Sequence, residues 1–514
     1  MAEHIAPAID PRRRRLMLIA LLLGALVTML NTSVASVALP TIVSDLGADG
    51  IQIHFIADGF SIALTACVLL TGALGDAYGR KRMFIIGLVL MIPAAVMASR
   101  STSANELILW LMASGVATAF LFPTTLSAIT EIFTTKQERA QAVALWAGTA
   151  AAGAAIAPII SGWMLEHYAW GAVFLVSVPL ALLTLVLGIV VLDPMVHPHP
   201  HSVDWLGGVL SIIALSTLIT LVILAPVDGW QGPVPLLTAV SLLAMIAFVI
   251  RQLRIAHPLI DLRVFRNKPL LGGALIITIL FTAMSGIMFL TAQYTQSVLG
   301  YSTLQAGVAT LPLTIAVFIA SPVSARWVMR MGTRRTVIIG AALVALGALS
   351  CRWWSAESPY LLLFVTFVLF GVGLGLAMTP STSAILDTLP PEQAGVASAV
   401  NDVTRDFGEA FGIALNGAVA GVVYASIIDT AYGSLTPEQR TSIPDTIYRE
   451  VRGSLAGALS AAKAHPGPEA DAVVTIARDA FVNGQATAAA IGVVLGLLCL
   501  VFAYLLLPDK STTS

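Results

Sequence analysis

Apolar and polar stretches alternate along the whole chain. Fourteen apolar segments lie near residues 16–39, 53–73, 83–99, 107–130, 140–162, 171–192, 205–226, 234–250, 269–293, 304–325, 336–353, 360–384, 395–428 and 485–507. Each is long enough, or nearly so, to cross a bilayer as a helix. A chain in lipid must satisfy its own backbone hydrogen bonds, so the pattern predicts an all-α polytopic membrane protein with 14 transmembrane helices. Arg12-Arg13-Arg14-Arg15, followed by Leu16 to Ala38, has the layout of a secretion signal. Its apolar run is too long for one and many spans follow, so it reads as a retained first helix. An even number of spans leaves both termini on one side. With Arg12 to Arg15 inside, the predicted inner segments hold 19 of the 27 Lys and Arg residues, and the short outer loops hold only Arg100 and Arg352. Positive residues stay inside, which predicts a multi-pass protein of the cell membrane with both termini cytoplasmic.

Composition narrows the class further. The chain is 57% hydrophobic and 11% charged, with mean hydropathy +0.90. A soluble domain carries about a quarter charged residues. The net charge of −1 comes from segregated rather than pooled charges and implies no nucleic-acid partner. Cys67, Cys351 and Cys499 have no metal-binding spacing and imply no disulfide framework. No nucleotide-binding motif, cofactor site, metal site or catalytic constellation is expected, so the chain does not read as an enzyme.

Between the second and third segments lies a polar hinge, Gly72-Ala73-Leu74-Gly75-Asp76-Ala77-Tyr78-Gly79-Arg80-Lys81-Arg82. Gly72 and Gly75 allow close helix approach, and Gly79 permits the chain to reverse. The stretch resembles the G-x-L-x-D-x-x-G-R-K-R signature loop of the major facilitator superfamily through Gly72, Leu74, Asp76, Gly79, Arg80, Lys81 and Arg82. That resemblance implies a loop that latches two halves of a transporter in the outward-facing state. An echo follows in Ala325 to Arg335: Gly332 to Arg335 align with Gly79 to Arg82, while Met329 replaces Asp76. Glu138-Arg139-Ala140 and Glu392-Gln393-Ala394 repeat at nearly the same offset. The repeat predicts an N-terminal six-helix bundle at 1–192, two inserted helices with inner linkers at 193–268, and a C-terminal six-helix bundle at 269–514. Substrate would sit between the bundles near the bilayer midplane. A long outer segment at 429–483 contains one small amphipathic helix, Ser454 to Ala464, read as a lid or spacer on the membrane surface.

The fourteen-span layout resembles the drug:proton antiporter branch of that superfamily. Ala38-Leu39-Pro40 closes the first span as in the branch. Gly153, Ala157, Pro158 and Gly162 approximate its antiporter motif in span five, where glycine and proline suit a helix that bends; ordinary small-residue packing is the alternative. His257 to Arg263 and Ser302, Gln305, Ala306 and Gly307 also match branch patterns.

Ionisable groups within spans are costly unless paired or wet, so each is a functional candidate. In span two, His54 and Asp58 share a helix face one turn apart. The resemblance puts Asp58 in the cavity near its outer side; snorkelling to the interface is the other reading. In span thirteen Asp402, Asp406 and Glu409 fall on one stripe, with Arg405 beside them. Three acids and one base cannot all ionise in a dry cavity, so one acid holds a proton or binds a cation, unless the group is a structural salt-bridge network. Glu131 either pairs with Arg80 at the gate, as the resemblance implies, or is a solvated charge. A cavity lined by Asn31, His54, Phe55, Phe60, Trp146 and Tyr294 would suit aromatic cations. His197, His199 and His201 alternate with prolines in an inner loop and read as a polar linker, with metal binding as the alternative. Two departures stand out: Asn31 and Leu111 occupy positions where the branch has an acid and an arginine.

The sequence thus predicts a monomeric, lipid-embedded transporter that exports amphipathic or cationic small molecules in exchange for protons. Asp58, Glu409, Asp406, Asp402 and Arg405 would couple the proton. An exporter of one metabolite, lipid or self-made antibiotic without that coupling is the first rival, and a non-transporting membrane sensor or assembly partner is the second.

Overall fold

The computed structural model describes residues 10–509 apart from 33, 49, 134, 194–202, 229–230, 391–392, 437–439 and 441–442; for His54 only the backbone is described. His197, His199 and His201 therefore lie outside the described residues. Fourteen helices among those described are long and apolar enough to span a membrane.

The first group comprises α1 (Pro11–Thr32), α2 (Val34–Leu46), α3 (Gly50–Tyr78), α4 (Arg80–Ala98), α5 (Ala104–Ile132), α6 (Lys136–His167) and α7 (Ser177–Val191). One core, including Leu21, Phe84, Leu88, Phe122 and Trp146, and a second, including Ala38, Ile42, Ile56 and Leu107, hold them together. Next, α8 (Trp205–Asp228) and α9 (Val234–Arg254) pair with each other, and α8 leans on α3. The last group is α10 (Lys268–Gln293), α11 (Thr303–Ala309), α12 (Leu311–Met331), α13 (Thr333–Ser350), α14 (Tyr360–Leu386), α15 (Ala394–Gly433), α16 (Asp445–Gly453), α17 (Leu455–Ala464) and α18 (Pro468–Leu506). Its core includes Ile276, Tyr294, Phe367, Phe370 and Cys499.

Local chemistry sets the helix ends. Ser103 accepts from the Glu106 N–H at the start of α5, and Thr135 from that of Glu138 at the start of α6. Ser302 and Gln305 cap α11 reciprocally. The two hinge sequences break at equivalent points: Gly79, between α3 and α4, has φ 100°, and Gly332, between α12 and α13, has φ 91°. Both lie in the region where a side chain is strained, which explains why a glycine recurs in each copy.

The segment expected at 429–483 is shorter than its polarity suggests. Helix α15 continues to Gly433 and α18 begins at Pro468, so only 434–467 connects them. Arg478 and Asp479 end the apolar run of α18 without ending the helix. Ala477 and Ala480 are fully buried beneath the connecting helices, and that packing holds the extra turns. Helix α17 matches the expected Ser454–Ala464 helix, with Ser454 as its cap. The connection docks on the end of the last bundle: Tyr424 donates to the Val451 carbonyl at 2.8 Å, and Arg452 pairs with Asp429 at 2.7 Å.

Candidate functional site

One stripe of α3 faces one stripe of α15. Asp58, Thr65 and Gly72 recur every seven residues, two helical turns apart. Opposite them on α15 lie Glu409, Asp406 and Gly395, in reverse order, because the helices run antiparallel.

At the hinge end the contact is closed. A side chain on Gly72 would meet the Gly395 carbonyl at 2.7 Å and Ala399 Cβ at 2.9 Å. The Asp76 carboxylate accepts from the N–H of Gly395 at 2.8 Å and of Val396 at 3.0 Å. These are first-turn donors of α15, which lack intrahelical partners. Arg80, 2% exposed, lies between Asp76 at 3.2 Å and Glu131, and also donates to the Ser127 carbonyl. A buried guanidinium needs such partners, since desolvation alone would expel it. Lys81 closes on the C-terminal carbonyls of α7 at Ile189 and Leu192, whereas Arg82 is exposed. Arg139 at the start of α6 adds a second bridge between the groups, reaching Asp387 beyond α14 at 2.8 Å.

One turn above the seam the acids part company. Asp402 is 1% exposed; one oxygen accepts from the Asn401 amide at 3.2 Å, and the other has no hydrogen bond among the described residues. Asp406 accepts from Thr65 of α3 at 2.8 Å and pairs with Arg405 at 3.1 Å. The Arg405 guanidinium also lies over Phe122 of α5 at 4.7 Å and within 5.9 Å of Phe281 of α10. Cation–π contact of this kind holds a desolvated charge in place. Glu409 differs. It is exposed, yet Asp406, Arg405 and Asp58 stand close enough for their charges to act on it. Those neighbours place it at the facing sides of α3 and α15. Asp58 of α3 is half-buried, and its charge acts on Glu409.

Three expected cavity residues do not line an opening in this conformation. Trp146 is fully buried against Phe122, with its indole N–H donating to Thr125 at 2.9 Å. Tyr294 is fully buried beside Trp354 and donates to the Ser355 carbonyl at 2.5 Å. Phe60, 3% exposed, packs with Leu64 and Ala119. Large aromatics bury the most apolar area, and here they serve the bundle interiors. Phe55 is half-buried, and the His54 side chain lies outside the described residues. Asn31 is tied to the Val27 carbonyl at 2.9 Å and to Ser177 at 3.0 Å. Leu111, the second departure, is an ordinary core residue. In the antiporter motif, Gly153 abuts Met29 of α1 and Ala157 is buried, Pro158 lies within α6, and Gly162 has nothing within 4 Å of an added side chain.

Thr65, Phe122, Phe281 and Asp387 belong to this arrangement but did not stand out in the sequence. Thr65 had a signal in its seven-residue spacing from Asp58 and Gly72; Phe122 and Phe281 look like any apolar span residue.

A family model for the Major Facilitator Superfamily matches residues 21–413. The "Multidrug efflux pump LfrA" of Mycolicibacterium smegmatis is 32% identical over 95% of this chain and 95% of its own length. The "Tetracenomycin C resistance and export protein" of Streptomyces glaucescens is 29% identical over 92% and 87%, and the "Methyl viologen resistance protein SmvA" of Salmonella typhimurium 29% over 93% and 94%. Among solved structures, the human organic anion transporter MFSD10 matches with a TM-score of 0.61 at 14% identity, covering 96% of this chain and 100% of that one. The proton:xylose symporter XylE matches with 0.61 at 14%, covering 98% and 97%. These likenesses in sequence and fold agree with the hinge, the repeated glycine break and the fourteen spans. The chain belongs to the major facilitator superfamily, in its fourteen-span branch of multi-pass membrane transporters.

Proposed function

We propose that this transporter exports amphipathic or cationic small molecules in exchange for protons, by alternating access. The observation that supports the reading is Glu409: it is exposed and within charge range of Asp58, while Asp406 is tied to Thr65 and Asp402 is buried. Two neighbouring carboxylates interact, so protonation of the pair is coupled. Protonation then weakens the attraction for a cationic substrate, and release of the proton restores it. The relatives, a multidrug efflux pump and a methyl viologen resistance protein, support export of this kind of substrate. The conformer reads as closed at the hinge end. It acts as a monomer of the cytoplasmic membrane with both termini inside, and takes no cofactor.

Transport of a methyl viologen probe in proteoliposomes, with and without an imposed pH gradient, tests the proposal. The gradient should accelerate wild-type export, and Glu409→Gln with Asp58→Asn should abolish that acceleration. Full, gradient-dependent export by both variants would overturn the assignment. Neutral Asn31 and Leu111 favour one other reading, an exporter driven by its substrate gradient alone. Wild-type export would then ignore pH altogether.

A further inference from the structure

The inserted helices carry a cavity that shares no lining residue with the α3–α15 stripe. It has a volume of about 340 Å³ at the hinge end of α8 and α9, and its lining includes Asp204, Trp205, Leu206, Arg251, Ile255 and His257. That size falls at the lower end of the range for small-molecule pockets.

Its polar wall is built, not incidental. The Asp204 side chain is fully buried and accepts from the Gly207 N–H at 2.9 Å, Arg251 Nε at 2.8 Å and Gln252 Nε2 at 3.0 Å. Gln252 in turn accepts from the Ile260 N–H at 3.2 Å. One carboxylate thus fastens the start of α8, the end of α9 and the loop beyond. Both Arg251 contacts go to a single Asp204 oxygen. The Nη1 edge of this half-exposed guanidinium makes no hydrogen bond among the described residues. The outer wall is apolar: Trp205 is 56% exposed and Leu206 53%, and Leu253, two residues past Arg251 on α9, is 48% exposed beside it. An exposed tryptophan at the end of a span is the usual occupant of the boundary between lipid and water. The surroundings are basic, with Arg254, Arg263, Arg266 and Lys268 exposed nearby in sequence and only Asp261 opposing them.

A cationic donor edge beside an apolar flank, at a helix end in a membrane, matches an amphiphile with an anionic head. We propose that this cavity binds the headgroup of an anionic phospholipid, its phosphate on the Nη1 edge of Arg251, its glycerol against Trp205, and its acyl chains along Leu206 and Leu253. The site adjoins the seam helix, because a side chain on Gly208 of α8 would meet Leu70 of α3 at 2.6 Å. Bound lipid would stiffen that contact.

Native mass spectrometry of the delipidated full-length protein tests the assignment without any transport assay. Phosphatidylglycerol, phosphatidylcholine and soluble glycerol 3-phosphate are titrated separately. Phosphatidylglycerol should bind roughly fivefold or more tightly than phosphatidylcholine, and glycerol 3-phosphate should not compete. Arg251→Lys, which keeps a cation beside Asp204 but loses the guanidinium edge, and Trp205→Ala should each remove most of that preference. Equal retention of the two lipids by wild type, unchanged selectivity in both variants, or glycerol phosphate binding as tightly as lipid would overturn it. The wild-type comparison decides the matter even if a variant fails to fold.

Discussion

The contact most exposed to test is Asp76 on α15. Asp76→Ala removes the acceptor of the Gly395 and Val396 N–H groups, which bond it at 2.8 and 3.0 Å. Hydrogen bonds to a charged group contribute about 1.5–3 kcal/mol each. An anion at a helix N-terminus adds roughly 0.3–1 kcal/mol. Both terms exist only while the bundles meet at this end, so their loss falls on that state alone. Arg80 keeps Glu131, which lies on the same side of the seam, and so does not distinguish the two states. Water replaces part of the loss once the seam parts, which leaves about 3–5 kcal/mol, or two to three and a half powers of ten in the equilibrium. Asp76→Asn retains one neutral acceptor and should cost about 1–2 kcal/mol. Spin labels at the exposed, repeat-related positions Arg82 and Arg335 would report the separation at this end by pulsed double-resonance distance measurement. The expected order of the open population is Asp76→Ala, then Asp76→Asn, then wild type. Identical distance distributions for wild type and Asp76→Ala, in detergent and in nanodiscs, would refute the reasoning.

Gly72→Val should also hold this end apart, because its side chain would enter the space of the Gly395 carbonyl, 2.7 Å from where a Cβ would stand; the same label pair reads it. Arg405→Gln strands Asp406 and Asp402 without a cation and should cost about 3–5 kcal/mol of stability, seen as a lower Tm, with much of the loss restored by adding Asp406→Asn. Burial pushes the Asp204 carboxyl up, but Arg251, the Gly207 N–H and Gln252 outweigh it and hold its pKa below the ordinary value. Because the folded pKa is lowered, the stability it supplies is complete above the unfolded value of about 4 and is lost as pH falls through the folded one. Wild type should therefore exceed Asp204→Asn in Tm near neutral pH, and the gap should close in acid; a gap that persists unchanged at the lowest pH would contradict this.

Much of the architecture is written locally. Hydropathy marks where a span can lie, because the requirement to satisfy backbone groups in lipid applies to each segment by itself. The hinge is legible for the same reason: a backbone at positive φ selects glycine wherever it occurs, and so Gly79 and Gly332 recur while the acid three residues before the first does not. The stripe of Asp402, Asp406 and Glu409 is a property of one helix and is visible in its spacing. What that stripe faces is not. Asp406 meets Thr65 and Arg405, Glu409 is exposed near Asp58, and Asp402 is buried, because two antiparallel helices from distant parts of the chain were brought into one register. An aromatic residue reads the same in sequence whether it lines a cavity or fills a core; packing put Trp146 and Tyr294 in the cores. The extra turns of α18 likewise depend on α17 covering Ala477 and Ala480. Sequence alone determined the spans, the hinge and the stripe of acids, since each obeys a rule internal to one segment. Tertiary structure decided which charges are paired and which remain open, since that depends on what another segment sets opposite them.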